Sequence, residues 1–284
     1  MPRIRVSCSS RDDGTAAVTA ATPAGFVLAA GAGSRLRPLT DLRPKALCPV
    51  GGRPLLDLAL DRLAPLTGTG PEQITVNAHH HAAQIVARFA GSDRVRVQVE
   101  DGEALGTAGA LAAARRWLDG RAVLVTNADS YLPAGLAGFT DGWDGRRCRL
   151  LCRPTSGRAD FTTADGTALG YVGACLLPWH RVRNLPVTPS GLYEMLWRDD
   201  LAADALDLVC LPPATTAIDC GTPADYLAAN LHASGGRSVI GAGATVLGRL
   251  EGSVVWDGAW VGPDEVLIKA IRAGDRRRPV TVRG

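Results

Sequence analysis

Phe26-Val27-Leu28-Ala29-Ala30-Gly31-Ala32-Gly33-Ser34-Arg35-Leu36-Arg37-Pro38-Leu39-Thr40 decides the fold. A short apolar run that ends in glycines suits a strand buried in a parallel sheet. Glycines directly after a first strand let the backbone approach an anion, and their N–H groups can point at phosphate oxygens. Arg43-Pro44-Lys45-Ala46-Leu47-Cys48-Pro49-Val50 follows, so Arg35 and Lys45 bring two positive charges to one mouth. Ligands of open α/β sheets sit at the C-terminal edge of the strands, where this loop falls. A dinucleotide fingerprint would need glycine at position 36, which is Leu36, and the Gly-Lys-Ser/Thr of a P-loop is absent. A turn that is merely glycine-rich does not explain why Arg35, Pro38-Leu39-Thr40 and Pro44-Lys45 follow in order.

Outward from this stretch the pattern alternates. Helical faces are expected at Pro54–Leu63, His81–Phe89 and Thr107–Leu118, and strands at Gln73–Asn77, Val95–Val99 and Ala122–Thr126. Strand and helix at this spacing mean βαβ units and a parallel sheet covered on both faces. Arg149–Cys152 and Tyr171–Leu177 read as strands, Leu192–Trp197 and Pro223–Leu231 as helices, and Val187–Ser190 as a loop. The last fifty residues change character. Ile240, Val246, Val255, Val261 and Leu267 carry a broken six-residue aliphatic period with glycines between, the mark of a parallel β-helix. A pair of β-hairpins is the alternative.

Composition sets the limits. The chain has 284 residues, 46% hydrophobic and 21% charged, which fills a core and excludes disorder. A net charge of +3 gives no reason to expect nucleic acid or a membrane surface as partner. No apolar run approaches the roughly 20 residues a bilayer demands. Residues 1–24 carry no continuous apolar core and read as a loose extension. Seven cysteines, none in a Cys-x-x-Cys pair, read as reduced thiols of a cytoplasmic protein. Cys148 and Cys152 share a strand face without further zinc ligands. Lysine occurs only at Lys45 and Lys269 in an arginine-rich chain, which points to a need for a compact ammonium. Neighbouring positions on a helix do not share a face, so His79-His80-His81 is no three-histidine metal site. Arg276-Arg277-Arg278 reads as a solvated tail, and Trp256 and Trp260 as packing against the main domain or a second subunit.

The glycine stretch with Pro44-Lys45-Ala46-Leu47-Cys48-Pro49-Val50 resembles the sugar-1-phosphate nucleotidylyltransferase family. Leu105-Gly106-Thr107-Ala108-Gly109, Asn127-Ala128-Asp129 and Ile218-Asp219-Cys220-Gly221-Thr222-Pro223 match further motifs of that family in order. The resemblance implies a Rossmann-like, mostly parallel mixed sheet of the nucleotide-diphospho-sugar transferase type over residues 25–232. It also implies a short left-handed hexapeptide β-helix over residues 233–284. Tails of this kind often mediate assembly, so a homo-oligomer through the tail is one expectation. The implied substrates are a nucleoside triphosphate and a sugar 1-phosphate; the products are a nucleotide sugar and pyrophosphate.

By the same resemblance Leu28, Ala29, Ala30, Gly31, Ala32, Gly33 and Ser34 bind nucleotide with Asn77, Gly106 and Thr107. Arg35 and Lys45 act on the phosphates. Asp129 and Asp219 hold Mg²⁺, a hard cation usually bound by one or two carboxylates plus phosphate oxygens. Glu100 and Gly173 line the substrate pocket. The nucleophile's second phosphate pKa is about 6, so it is already ionised and needs no general base. The obstacle is repulsion between two anions, and the remedy is positioning and charge neutralisation.

Many relatives carry a Glu-Lys-Pro segment whose lysine binds the sugar phosphate. Here Leu151-Cys152-Arg153-Pro154-Thr155-Ser156-Gly157-Arg158 stands in that neighbourhood, and Arg153 or Arg158 would have to replace it. Pro154-x-x-Gly157-x-x-Asp160-Phe161 is similar to the N-acetylmuramate-1-phosphate uridylyltransferase subgroup, whereas the tail is similar to that of mannose-1-phosphate guanylyltransferases. Base and sugar therefore stay open. The alternatives are a cytidylyl-type transferase acting on an alcohol phosphate and a silent regulatory homologue that binds nucleotide sugars.

Overall fold

A computed structural model describes residues 22–157, 159–163 and 166–284. The expected N-terminal extension, over residues 1–21, and Arg158 lie outside the described residues. The glycine stretch is preceded by β1 (Ala24–Leu28), which starts at the last residue assigned to the extension. Around it stand β2 (Ile74–Ala78), β3 (Val95–Val99), β4 (Val123–Asn127), β5 (Arg149–Pro154), β6 (Phe161–Thr162), β7 (Ala168–Leu177) and β8 (Asp207–Cys210). The order across the sheet is β8-β5-β7-β4-β1-β2-β3, with β6 paired to β7. Strands β4, β1, β2 and β3 run parallel, β7 is antiparallel to both its neighbours, and β8 is parallel to β5. The sheet is mixed, with its parallel half centred on β1.

Alternation along each strand fills two apolar layers. Phe26, Val123, Val125 and Cys175 face one way, under α3 (Gly106–Ala113). Val27, Leu124, Val76 and Leu176 face the other, under α1 (Leu55–Leu63) and α2 (Ala82–Arg88). The single helix expected over Thr107–Leu118 breaks where Ala114 takes a ψ of −1°, and a short second turn follows. Leu192–Trp197 coils as a π-helix over Tyr193–Trp197, a pitch that apolar spacing cannot distinguish from α.

The tail packs as stacked parallel ladders, with Val239–Ile240 on Val254–Val255, Thr245–Val246 on Trp260–Val261, and Arg249–Glu251 on Val266–Ile268. The tail then ends in an antiparallel pair, Ala270–Ala273 with Val280–Arg283, so parallel ladders and one hairpin occur together. Of the periodic aliphatics, Val255, Val261 and Leu267 are buried. Ile240 corrects the expectation: it lies in the first coil, with no coil before it, and is 55% exposed. The tail does not stand apart from the sheet. Trp256, Val254 and Ile271 share a third apolar layer with Leu36, Leu39, Val50 and Tyr226 of α4 (Pro223–Ser234). Trp256 thus packs on the main body, and Arg276 lies over the Trp260 ring.

The six described cysteines form no disulfide. Burial pushes the Cys48 and Cys148 thiols up to about 12, which keeps them protonated and unreactive. Among the described residues no helix is long and apolar enough to cross a membrane.

Candidate active site

The loop after β1 closes onto Lys45 because it contains glycine. Gly33 has a φ of +61°, and a Cβ there would sit 2.8 Å from Thr40 Cγ2 and 3.1 Å from Lys45 Cβ. Buried Thr40 donates from Oγ1 to the Gly33 carbonyl at 3.0 Å. Leu36 and Leu39 plug into the third apolar layer, which leaves Gly31, Ala32, Ser34 and Arg35 exposed at the mouth. Each residue of the run thus has a local task, either anchoring the loop or presenting it.

Asp129 and Asp219 meet through a two-strand ladder. Beyond the end of β4, Ser130–Tyr131 pairs antiparallel with Ile218–Asp219, and Asp219 stands opposite Ser130. The Cys220 N–H donates to the Asp129 carbonyl at 3.0 Å. Lys45 Nζ donates to Asp129 Oδ2. Arg35 Nη2 lies 3.6 Å from Asp219 Oδ2, with both side chains more than 60% exposed, so the pair holds Arg35 loosely. Gly221 makes this approach possible: a Cβ there would stand 2.5 Å from Arg35 Nη2. Thr222 then caps α4, accepting from the Asp225 N–H at 3.2 Å, with Pro223 in the first turn.

The Asp219 carboxyl is pushed above the ordinary aspartate range by burial first and by Asp129 second, with Lys45 and Arg35 pulling the other way. A carboxylate that its acidic neighbour pushes up would gain from a hard divalent cation between the two, which would relieve the repulsion. Among the described residues no cluster of three or more potential ligands adds to them.

Spacing overlooked Arg62, although it follows Leu55 and Ala59 on the buried stripe of α1. Its Nη2 donates to Thr126 Oγ1 at 3.2 Å and to the Asn127 carbonyl at 3.0 Å, fixing the end of β4. Burial pulls its pKa down to about 10 against the pull of the Asp129 charge.

On the β2–β3 side a polar chain links the loop to α3. The Ala29 N–H donates to Asn77 Oδ1 at 2.7 Å, and Asn77 Nδ2 donates to Glu100 Oε1 at 2.7 Å. Leu105 N–H donates to Glu100 Oε2 at 2.8 Å. Glu100, expected to line the substrate pocket, is 5% exposed with both oxygens occupied, so it acts as a strut between Asn77 and Leu105. Glu100→Gln turns one acceptor into a donor, facing either Asn77 or Leu105. The substitution is expected to cost about 1–3 kcal/mol in chemical denaturation, because one hydrogen bond of this buried chain is lost. Gly106 approaches the Ser190 carbonyl closely, and Thr107 Oγ1 accepts from the Leu192 N–H at 2.8 Å.

On the β4–β7 side Gly173 sits in a register shift between Tyr171 and Cys175 with a φ of +83°. A Cβ there would lie 2.2 Å from Ser130 Oγ, next to Asp129. Gly173→Ala is expected to cut turnover about tenfold or more while costing about 1–3 kcal/mol in chemical denaturation. Gly173 thus shapes the wall beside Asp129. Arg153 is exposed and donates from Nη1 to the Ala217 carbonyl at 2.8 Å, beside the Ile218–Asp219 strand. A cleft of about 230 Å³ opens here between Leu28, Thr107, Asn127, Tyr171, Glu194 and Trp197. Glu194 reaches it from the π-helix, a placement no motif signalled.

Comparison with known proteins identifies the family. Residues 25–244 match the MobA-like NTP transferase domain family. N-acetylmuramate alpha-1-phosphate uridylyltransferase of Caulobacter vibrioides is 34% identical over 234 residues, 72% of this chain and 94% of that protein. Mannose-1-phosphate guanylyltransferase of Mycobacterium tuberculosis is 33% identical over 154 residues, 51% of this chain and 39% of that protein. A solved mannose-1-phosphate geranyltransferase from Thermus thermophilus superposes with a TM-score of 0.63 at 18% identity, over 92% of this chain and 95% of that one. The chain belongs to the MobA-like NTP transferase family and is a nucleotidyltransferase of the sugar-1-phosphate class.

Proposed function

We propose that the cleft between the glycine loop and the Asp129–Asp219 pair is where a nucleoside monophosphate passes from a triphosphate to a sugar 1-phosphate. The observation that carries this reading is the meeting of Lys45, Asp129 and Asp219 from three distant segments beside a glycine loop. The loop N–H groups and Arg35 hold the triphosphate, and Arg35 offers a fork of donors to the leaving pyrophosphate. Lys45 places a point charge at the reacting phosphates. Asp129 and Asp219 hold a divalent cation, Mg²⁺ by this reading, which offsets the repulsion between the two anions. Glu100 and Asn77 keep the nucleotide wall in register with the loop. Arg153 lends positive charge to the acceptor side, where the lysine of many relatives is missing.

The stacked ladders of residues 239–273 support reading residues 233–284 as a short left-handed β-helix attached to a catalytic unit of residues 25–232.

A panel of nucleoside triphosphates and sugar 1-phosphates, assayed for pyrophosphate release, tests the proposal. It includes UTP with N-acetylmuramate 1-phosphate and GTP with mannose 1-phosphate. One pair is expected to release pyrophosphate with Mg²⁺ and to stop on chelation. Binding of a nucleotide sugar without release from any pair would support a silent homologue instead.

A further inference from the structure

We propose that the C-terminal tail is a positioning part of the active site, with Asp257 and Trp256 clamping the Arg43–Gly51 segment so that Lys45 stays on Asp129. This rests on the phosphate-binding role assigned to Lys45. Arg43, two residues before Lys45, donates from Nη1 and Nη2 to the two carboxylate oxygens of Asp257, each at 3.2 Å. Its guanidinium carbon lies 4.4 Å from the centroid of the Trp256 ring. A fork-to-carboxylate contact stacked on an aromatic face fixes direction as well as distance.

The far end of the same segment is held by the same hub. Trp256 is 1% exposed and donates from Nε1 to the Tyr226 hydroxyl at 3.0 Å. The Tyr226 hydroxyl donates in turn to the Pro49 carbonyl. Asn230 Oδ1 accepts from the Gly51 N–H at 3.0 Å. Lys45 therefore lies on a short bridge pinned on both sides, and the tail supplies the pin nearer to it.

The Asp257 backbone is fixed, although its side chain is 52% exposed. A Cβ at Gly241 would stand 2.3 Å from its backbone nitrogen, so the preceding coil packs directly against it. Gly258 N–H donates to the Ala242 carbonyl at 2.9 Å, tying the turn to that coil. Burial raises the Asp257 carboxyl, and the hydrogen bonds and charge of Arg43 outweigh it, so the group stays ionised at neutral pH. None of the four motifs that carry the family resemblance includes Asp257, and 214 positions separate it from Arg43.

The two lysines of the chain make the test specific. Lys269 is exposed, whereas the Lys45 side chain is 14% exposed and paired with Asp129. Competitive labelling of the full-length protein with an amine-selective reagent, read by peptide mass spectrometry, gives the Lys45 rate with Lys269 as internal reference. Asp257→Ala and Arg43→Ala are each expected to raise that ratio about fivefold, the double variant no further, and Asp257→Glu less. With the productive substrate pair, kcat of Asp257→Ala falls about fivefold while KM stays within about twofold and the melting temperature is retained. Asp257→Asn serves if the alanine variant folds poorly. An unchanged labelling ratio in the folded variant, or unchanged kcat, overturns the clamp. If the wild-type protein turns over no pair at all, the labelling result still decides the clamp, and it is the reaction assigned to the site that falls.

Discussion

Asp129→Ala is expected to lower pyrophosphate release by about a thousandfold and to leave the fold intact. The loss follows from what the carboxylate faces. It receives Lys45 on one side and stands beside Asp219 on the other, so its removal takes away half of the proposed cation site and the partner that orients the ammonium. Two polyanions would then meet with little to offset their repulsion. The fold survives because the ladder beneath uses backbone groups: the Cys220 N–H keeps the residue 129 carbonyl whatever side chain it carries. Removal also relieves the charge that raises Asp219. The check pairs a pyrophosphate-release assay with a thermal melt. Near wild-type turnover with Mg²⁺ present removes Asp129 from the mechanism.

Lys45→Ala is expected to lose a comparable factor, about a hundredfold or more, again without unfolding. Lys45→Arg should recover little of it. The stem of Lys45 runs against Gly33, whose missing Cβ leaves just enough room, and its side chain is 14% exposed. A planar fork is larger than an ammonium and cannot take the same place beside Asp129. This also accounts for a lysine at position 45 in a chain that has only one other, Lys269. Single-turnover rates of the three proteins, at nucleotide concentrations that saturate each, check the claim. A Lys45→Arg rate close to wild type would show that charge alone suffices.

Local chemistry explains what was legible in the sequence. The glycine stretch, Asp-x-Gly-Thr-Pro and Leu-Gly-Thr-Ala-Gly each need particular residues for close approach, capping or a positive φ, which is why they stand out in the sequence. The βαβ half reads well because its strands carry short apolar or alternating runs between glycine and turn residues, and α1 carries a clear buried stripe. Strand β8 escaped because it is an edge strand headed by Asp207, whose carboxylate is held by Arg149 Nε at 2.6 Å, a long-range contact. Glu100 was visible as a candidate but its role was not. A carboxylate whose two oxygens are taken up by Asn77 and Leu105 looks, in sequence, like one that faces substrate. Arg62 needed attention to a charged residue on a buried stripe. Asp257 had no local signal, because its partner Arg43 lies far away in the chain and only the folded tail brings them together.

Anomalous scattering from Mn²⁺ in crystals grown with a non-hydrolysable nucleoside triphosphate bears on the centre of the account. The expected result is a single peak about 2.1 Å from a carboxylate oxygen of each of Asp129 and Asp219, with the triphosphate on the loop of Gly31 to Arg35. A peak that touches only one of the two carboxylates, or a triphosphate bound away from that loop, would contradict it.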